Sequence, residues 1–247
     1  MPSVEIPYAP RPLQMTIHDA LDTHRFAVAV CHRRFGKTVL AVNHLQKAAC
    51  LCRRARPRYA YVAPTYRQGK AVAWDYMQHY AAPIPGIEVN QSELRIDYPN
   101  GGQVRIYGAD NPDALRGIYL DGVVLDEYGL QPPNIFTEVI RPLLADRLGT
   151  AFFIGTPNGK NQFYDIVQTA QQGAGDWFYV AYPASVTGIV EAGELASARS
   201  QMTADEYAQE FECSFEASVK GAVYAREIIA AREAGRLTRV PYDPALP

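Results

Sequence analysis

The chain has 247 residues, of which 48% are hydrophobic and 20% are charged, and its formal net charge is −2. These values are ordinary for one folded α/β domain with room for a small appendage, and they exclude a uniformly basic nucleic-acid coat protein. No apolar stretch approaches the ~20 residues that a membrane-spanning helix needs, and no secretory leader pattern is seen. The chain has four cysteines, Cys31, Cys50, Cys52 and Cys213. They lack the spacing of a zinc site, and Cys50 and Cys52 are too close in sequence for an ordinary disulfide. This cysteine pattern predicts a reducing compartment.

The first third of the chain predicts an extended arm followed by alternating helices and strands. Four prolines favour an arm over residues 2–12, and a short helix is expected at 13–24. Apolar runs predict strands at residues 26–30 and 58–63. Helical patterns follow each strand, at residues 37–51 and 67–81.

The remainder continues this alternation. Residues 93–98 and 103–108 flank a Pro-Asn-Gly-Gly turn and predict a β-hairpin. Further strands are expected at 119–125, 150–154 and 177–182. Further helices are expected at 134–147 with a kink at Pro142, and at 161–172, 191–201 and 204–213, with one more in the tail after 223.

Strands that alternate with helices predict a mostly parallel sheet covered on both faces. The three most apolar strands end in polar motifs at residues 31–38, 126–128 and 155–157. Because ligands of open α/β sheets bind at the carboxyl ends of strands, we expect these motifs at one edge of the sheet.

The first motif, Gly36-Lys37-Thr38, has the form of the second half of a phosphate-binding loop. In such a loop backbone N–H groups cradle the phosphates, Lys37 would reach the β- and γ-phosphates, and Thr38 would bind Mg²⁺. The usual leading glycine is replaced by Cys31, and arginines occupy the loop. An ordinary turn before a helix is therefore the alternative interpretation.

The second motif places Asp126 and Glu127 after an apolar strand, as in a Walker B motif. We assign Asp126 to the metal and Glu127 to the attacking water. The alternative is that both acids cap the next segment. In the third motif, Thr156 at the end of another strand is assigned to sensing the γ-phosphate, although Gly-Thr-Pro is also a common turn.

Two single residues complete the predicted site. Arg116 precedes the Walker B strand and is a candidate to stabilise charge on the γ-phosphate, with a surface salt bridge as the alternative. Gln14 precedes the first core strand, and its amide offers both a donor and an acceptor to an adenine edge, with a solvated side chain as the alternative. For the arginine cluster at residues 53–58, a solvated helix end is favoured over a phosphate site.

In this order the motifs resemble the ATPase domain of the large terminase subunit of tailed bacteriophages, over about residues 10–220. The most specific segments are Arg33-Arg34-Phe35-Gly36-Lys37-Thr38, Val124-Leu125-Asp126-Glu127-Tyr128, and Gly155-Thr156-Pro157-Asn158-Gly159 with Phe163-Tyr164 after it. Gln14, Ala63-Pro64-Thr65 and Leu115-Arg116-Gly117 also fit.

The resemblance implies a RecA-like ASCE P-loop NTPase that uses ATP and Mg²⁺. Catalytic residues would be Glu127, Lys37 and Arg116, with Arg116 donated to the next subunit of a ring or replaced by Arg33 or Arg34 in cis. Nucleotide-binding residues would be Gln14, Arg33, Arg34, Phe35, Gly36, Lys37, Thr38 and Thr156, and metal ligands Thr38 and Asp126.

The resemblance also implies an organisation and a set of partners. We expect an ATPase core with its arm at residues 1–189, a small helical lid at 190–225, and a linker at 226–247 toward a nuclease domain that this chain lacks. The implied partners are double-stranded DNA, the portal protein of the procapsid, the small terminase subunit and further copies in a ring, in the host cell cytoplasm. A DExx helicase-like ATPase and a nucleotide-controlled assembly module remain as alternatives.

Overall fold

The structure, a computed structural model, describes residues 4–173, 175–216, 231 and 234–236. Its strands are β1 (Phe26–Cys31), β2 (Arg58–Ala63), β3 (Glu88–Asn90), β4 (Arg95–Asp97), β5 (Gln103–Gly108), β6 (Gly122–Asp126), β7 (Thr150–Gly155) and β8 (Trp177–Tyr182). They form one sheet in the order β3-β4-β5-β2-β6-β7-β1-β8. Only the pairs β3–β4 and β4–β5 are antiparallel among these described strands. The predicted mostly parallel sheet is confirmed.

The helices connect the parallel strands across both faces of this sheet. They are α1 (Pro12–Thr23), α2 (Lys37–Leu51), α3 (Tyr66–Gly69), α4 (Asp75–Ala81), α5 (Arg141–Leu143), α6 (Gln162–Gln171), α7 (Ala184–Thr187), α8 (Ala192–Gln201) and α9 (Ala204–Glu210). A π-helical turn, Lys70–Trp74, joins α3 to α4. None of the described helices combines the length and apolar character that a bilayer span requires.

Alternating side chains of the buried strands build two hydrophobic cores. In β1, Ala27 and Ala29 face the core under α2, whereas Val28 and Val30 face the core on the opposite side. Each of these side chains is fully buried. Burying one valine stabilises the fold by roughly 1.5–3 kcal/mol, so the short run that predicted this strand also supplies much of its stability.

Strand order brings the three polar motifs together. β6, β7 and β1 are adjacent and parallel, and the register pairs Asp126 with Ile154 and Val30 with Gly155. The segments that leave these strands therefore emerge side by side at the carboxyl edge of the sheet. The predicted placement of all three motifs at one edge is confirmed.

Several predicted boundaries differ from the structure. The helix expected at 134–147 is a π-helical turn, Ile135–Ile140, followed by α5, which ends at Leu143. Pro142 is the second residue of α5, which continues directly from the π-helical turn, and it has no N–H to donate to that turn. Strand β6 begins at Gly122 rather than at residue 119, because the Asp121 side chain ties that segment to the backbone of Arg58 instead.

The carboxyl-terminal helices form a small unit of their own. Ala184, Tyr207 and Phe211 make a separate apolar cluster that joins α7, α8 and α9. Helix α9 ends at Glu210, three residues before the predicted end, and Cys213 takes a left-handed backbone conformation with φ +57°. The lid at 190–225 stays a prediction, and its last nine residues, like the predicted tail helix, lie outside the described part of the chain.

Candidate nucleotide-binding site

The turn between β1 and α2 has the backbone of an anion-binding loop. Gly36 has φ +96°, and a Cβ atom there would lie 2.8 Å from the amide nitrogen of Gln14. Only glycine meets both conditions without strain. Helix α2 begins at the next residue, Lys37, so its free N–H groups and positive dipole end point toward the loop.

Lys37 links the three motifs. Its ammonium nitrogen lies 2.9 Å from the hydroxyl of Thr156 and 3.5 Å from a carboxylate oxygen of Glu127. It also lies 3.4 Å from the carbonyl oxygens of Cys31 and His32. The side chain is only 10% exposed, so the charge is held in a low-dielectric position where an anion would be attracted strongly.

Glu127 is held by its backbone and by the neighbouring strand. It has φ +47°, a left-handed conformation that is uncommon for a glutamate. A carboxylate oxygen accepts a hydrogen bond of 3.3 Å from the backbone N–H of Thr156. Gly155 allows the close approach, because a Cβ atom there would lie 3.3 Å from the Cα atom of Glu127. The carboxylate is one-third exposed and faces the cleft.

Asp126 is buried beneath the loop and hydrogen bonds to a tyrosine that also lies close to Thr38. The Tyr61 hydroxyl donates a hydrogen bond to the Asp126 carboxylate, and the Thr38 side chain lies close to the same hydroxyl. The other Asp126 oxygen accepts from the backbone N–H of Glu127 at 3.0 Å. Burial, and secondly the charge of Glu127, raise the pKa of Asp126 to about 6, although Tyr61 and Lys37 act in the opposite direction.

The donor set fits Mg²⁺. Thr38 and Asp126 offer a hydroxyl and a carboxylate oxygen, the hard ligands that this ion prefers. Among the described residues, no group of three or more His, Cys, Asp or Glu side chains makes a complete metal cage. Mg²⁺ at phosphate sites typically takes one or two protein ligands and completes its shell with phosphates and water.

These groups line a cleft of about 670 Å³, which is in the range of small-ligand sites. The predicted site residues that line this cleft are Arg33, Arg34, Gly36, Lys37, Thr38, Glu127 and Thr156. Val72 and Tyr76 from the helix after β2, and Gln209 and Glu210 from α9, form the rest of the wall with Pro157, Asn158, Val39 and Leu130.

Four predicted site residues do not line the cleft, and one of them is Asp126, which is buried behind its wall. Gln14 is almost fully buried; its amide oxygen accepts from the Arg11 N–H at 2.9 Å and its nitrogen donates to the Gly36 carbonyl at 3.2 Å. Its donor and acceptor therefore hold the loop rather than face a base. Phe35 is fully buried and stacks on Tyr182 at 5.5 Å, because its apolar ring belongs to the core. Arg116 is 72% exposed and pairs with Asp113 at 3.1 Å, as in the alternative interpretation of this residue.

Sequence reasoning missed the contacts between the loop and the lid region. Arg33 donates its backbone N–H to the Glu210 carbonyl at 2.9 Å and forms an ion pair of 3.4 Å with the Glu210 carboxylate. His32 is fully buried and hydrogen bonds to the Thr187 hydroxyl at 2.8 Å, and burial lowers its pKa. Such contacts join residues about 150 or more positions apart, which no local pattern reveals.

Sequence reasoning also missed Tyr61 and a set of amides behind Glu127. Gln131 donates to the carbonyls of Val62 and Asp126, at 3.0 and 2.9 Å. Gln162 donates to the carbonyls of Tyr128 and Gln131. These amides attach the turn after Asp126 to β2 and to α6. Tyr61 had one indication in the sequence, because it alternates with Tyr59 on the face of β2 toward α2.

Comparisons with known proteins all match this chain to one family. A family described as "Terminase large subunit, T4likevirus-type, N-terminal" matches residues 32–231. The terminase large subunit of Thermus virus P23-45 is 31% identical over 177 residues, which are 64% of this chain and 36% of that protein. The chain thus spans about a third of the length of the curated relatives it matches.

Solved structures show the same fold. The large terminase ATPase domain of Thermus phage P74-26 superposes with a TM-score of 0.72 and 24% identity, over 85% of this chain and 95% of that one. A large terminase from a thermophilic bacteriophage, solved in complex with ATP-gamma-S, superposes with a TM-score of 0.68 and 11% identity, over 83% of this chain and 52% of that one.

Proposed function

The chain belongs to the family of terminase large subunits, and we propose that it is the ATPase domain of a motor that drives double-stranded DNA into a viral procapsid. The observation that carries the proposal is the convergence of Lys37, Glu127 and Thr156 around one cleft. Three separate strands deliver these groups to a single phosphate-sized position. An ordinary turn before a helix would not need such convergence.

The side chains divide the reaction between them. The loop N–H groups and Lys37 would bind and orient the β- and γ-phosphates of ATP. Mg²⁺, held by Thr38 and through Asp126, would neutralise phosphate charge when bound. Glu127 would accept a hydrogen bond from the attacking water and orient it toward the γ-phosphorus, which is the role of a general base near a phosphoryl group.

Thr156 supports a coupling role. It contacts Lys37 through its hydroxyl and Glu127 through its backbone N–H, so it touches both sides of the γ-phosphate position. The segment after it continues into Asn161, whose side-chain nitrogen donates to the Gly129 carbonyl at 2.8 Å. A change at the phosphate would therefore be transmitted to the turn after Asp126 and to α6.

Charge stabilisation at the γ-phosphate has two candidate sources. Arg33 and Arg34 line the cleft of their own subunit, and Arg34 is exposed in a left-handed conformation with φ +71°. Arg116 lies outside that cleft, on an exposed position from which it could reach a neighbouring subunit. The exposure of Arg116 supports donation in trans, which implies a homo-oligomeric ring.

Membership of the terminase family supports the other partners that we propose for this chain. A packaging motor in the host cell cytoplasm engages the portal of the procapsid and double-stranded DNA, and receives DNA through a small terminase subunit. A DExx helicase-like ATPase would share the cleft but would also separate DNA strands. A nucleotide-controlled assembly module would bind ATP without turning it over, and the placement of Glu127 beside Lys37 argues against it.

The test is ATP hydrolysis by the full chain, alone and with duplex DNA and portal. Lys37→Ala should abolish turnover and weaken ATP binding, while thermal unfolding stays cooperative. Lys47→Ala is the matched control, because Lys47 lies on the same helix but pairs with Asp22 at the surface. Turnover by Lys37→Ala at the wild-type rate would overturn the proposed site, and strand separation by the isolated chain would favour the helicase.

A further inference from the structure

The amino-terminal edge of the sheet, opposite the cleft, carries a continuous row of arginines. These residues precede neighbouring strands or lie against their first residues. We call this row the basic edge; it consists of Arg25, Arg53, Arg54, Arg56, Arg141 and Arg147. In a chain whose net charge is −2, this concentration of positive charge on one edge is unusual.

One half of the basic edge is organised around the start of β1. The guanidinium groups of Arg25 and Arg141 both lie over the ring of Phe26, at 5.0 and 5.4 Å from its centroid. Arg25 also donates to the carbonyl of Gly149 at 3.2 Å, at the start of β7. One terminal nitrogen of Arg25 is buried and has no hydrogen-bond partner within the described residues.

The other half is built on one buried carboxylate. Asp121, whose side chain is 2% exposed, pairs with Arg54 at 3.1 Å and with Arg147 at 3.6 Å. It also accepts the backbone N–H of Arg58 at 2.9 Å. Two guanidinium groups on one carboxylate leave an excess positive charge, and the buried anchor fixes where that charge lies.

Further bonds hold the loop between α2 and β2 in one shape. The Tyr119 hydroxyl donates to the Arg56 carbonyl at 2.8 Å, and Arg147 donates to the Ala55 carbonyl at 3.1 Å. Arg56 takes a left-handed conformation with φ +50°. The result is that Arg53 and Arg56 point into solvent without a carboxylate partner in the described part of the chain.

A structural role explains only some of the arginines in the basic edge. Arg54 and Arg147 neutralise Asp121, but the side chains of Arg53 and Arg56 form no ion pair with any other residue that the structure describes. The exposed carboxylates nearest in sequence are Glu138, Asp146 and Asp22, the last of which pairs with Lys47, so the arginines of the row remain in excess. A loop that is fixed by buried bonds and presents unpaired arginines is typical of a surface organised for an anionic partner.

We propose that the basic edge binds the phosphate backbone of double-stranded DNA, an inference that rests on the proposed function. β2, β6, β7 and β1 are neighbours, and at about 4.8 Å between strands their starts span roughly 15 Å. Phosphates on one DNA strand advance by about 3.4 Å along the helix axis, so a duplex aligned with the edge carries about four phosphates of each strand over this length.

The length of the row favours DNA over an acidic protein. Guanidinium groups bind phosphates with two parallel hydrogen bonds, and a row that runs along the starts of several strands suits an extended polyanion. The rest of the chain carries a net negative charge, which confines the attraction for a polyanion to this edge.

The test measures duplex-DNA binding by the full chain, using fluorescence anisotropy over a range of salt concentrations. The variant Arg53→Ala/Arg56→Asn removes both unpaired charges, with asparagine chosen because it tolerates a positive φ. We expect at least ~10-fold weaker binding and a salt slope smaller by about 2, one for each lost phosphate contact. Arg53→Lys/Arg56→Lys should restore most of the salt dependence.

The matched control is Arg67→Ala/Lys70→Ala. Both side chains are exposed, and neither forms an ion pair with another described residue. They lie just after β2, at the carboxyl edge, so removal of the same charge there should leave DNA affinity near wild type. Equal or greater loss in this control would overturn the proposal, as would unchanged DNA binding in the Arg53/Arg56 variant.

Two more measurements separate the outcomes. Polyglutamate of matched charge should compete poorly; if it competes as well as DNA, the edge binds an acidic protein and the proposal is wrong. ATP hydrolysis without DNA should be the same in all variants. If the chain hydrolyses ATP and binds DNA, but its DNA binding does not depend on Arg53 and Arg56, this inference alone is wrong. If the wild-type chain neither hydrolyses ATP nor binds DNA, the proposed function is wrong as well.

Discussion

At the scale of single residues, Glu127 combines an unfavourable backbone conformation with two electrostatic contacts. A non-glycine residue in the left-handed region costs roughly 1–2 kcal/mol. The surrounding contacts hold it there: Lys37 attracts the carboxylate and the Thr156 N–H binds it. A residue that served only as a cap for the following turn would gain nothing from this arrangement, which supports a role in chemistry.

We predict that Glu127→Gln binds ATP with Mg²⁺ but hydrolyses it at least ~100-fold more slowly, as expected for the loss of a general base. Glutamine keeps the size of the side chain and can still accept the Thr156 N–H, so the fold should be intact. Single-turnover hydrolysis and fluorescent-nucleotide affinity measure the two effects separately. Glu138→Gln, on an exposed position, should change neither. A parallel loss of binding and turnover would place Glu127 in the metal shell or in a structural role.

Tyr61 gives a second prediction at this scale. Tyr61→Phe removes the hydroxyl that bonds to Asp126 and lies close to Thr38 but leaves the ring in the core. We expect the Mg²⁺ concentration for half-maximal ATP binding to rise several-fold, with metal-free nucleotide affinity unchanged, since only the metal ligands lose their orientation.

Tyr98→Phe is the control for this measurement. Tyr98 is also buried, but its hydroxyl has no hydrogen-bond partner within the described residues. Leaving the Asp126 oxygen unpaired should also lower stability by about 1–3 kcal/mol, whereas the control should not. An unchanged Mg²⁺ requirement in Tyr61→Phe would show that the hydroxyl has a packing role only.

At the scale of secondary-structure elements, α1 and α2 pack through two buried histidines. His44 and His18 lie with ring centroids 6.2 Å apart, and the Nδ1 atom of each has no partner within the described residues. Burial lowers the pKa of His44 to about 3 and also lowers that of His18. His18 on α1 and Lys47, on the same helix as His44, oppose protonation of His44, and Asp22 on α1 favours it.

The histidines predict that stability falls in mild acid. The unfolded chain takes up a proton near pH 6.5, whereas folded His44 stays neutral, so folding is opposed increasingly as the pH drops below 6.5. His44 alone should cost about 2 kcal/mol between pH 7 and pH 5. Urea unfolding at both pH values measures this loss, which should shrink in His44→Gln and persist in His79→Gln, on the exposed side of α4. An equal loss in all three proteins would assign the pH dependence elsewhere.

The elements also show what the sequence could and could not predict. Apolar runs and turn residues located the strands at 26–31, 58–63, 103–108 and 150–155, because burial on both faces imposes a composition that is visible locally. Strand β3 has no such composition and was not predicted; it is short and mostly exposed. Residues 134–147 looked helical because their apolar spacing does not distinguish an α-helix from a π-helical turn.

The site residues also divide into those that the sequence could predict and those that it could not. Gly36, Lys37 and Glu127 were predicted because each needs a particular residue type at a fixed distance from a strand end. Gln14 was assigned to a base because its amide can read one, but its donor and acceptor are taken by the loop backbone. Contacts of this kind depend on which elements become neighbours, and no spacing rule along the chain contains that information.

At the scale of the whole molecule, the two edges of the sheet have different chemistry. The carboxyl edge holds the cleft, with Lys37 partly neutralised by Glu127, and the amino edge holds unpaired arginines. α2 and β1 run between the two edges, and β1 and one face of α2 are buried in the core. The proposed motor needs a nucleotide site and a DNA-binding site, and the two edges provide a candidate for each.

The proposed role of Arg116 in trans predicts that a single copy of this molecule has an incomplete active site. The Arg116 side chain is outside the cleft of its own subunit, so an isolated chain should bind ATP but hydrolyse it poorly. Loss of an arginine finger costs ~10³–10⁵ in rate in comparable enzymes. Activity should therefore rise more steeply than linearly with protein concentration, or on assembly with a portal.

A mixture of Arg116→Ala and Glu127→Gln subunits tests where the arginine acts. Each variant alone should be inactive. If Arg116 acts in trans, some interfaces of the mixed ring join an intact Glu127 site to an intact Arg116, and hydrolysis returns. If it acts in cis, every site lacks one of the two groups and the mixture stays inactive. Co-assembly is verified first by native mass spectrometry, and an inactive mixed ring would then move the role to Arg33 or Arg34 and remove the reason to expect that hydrolysis needs a ring.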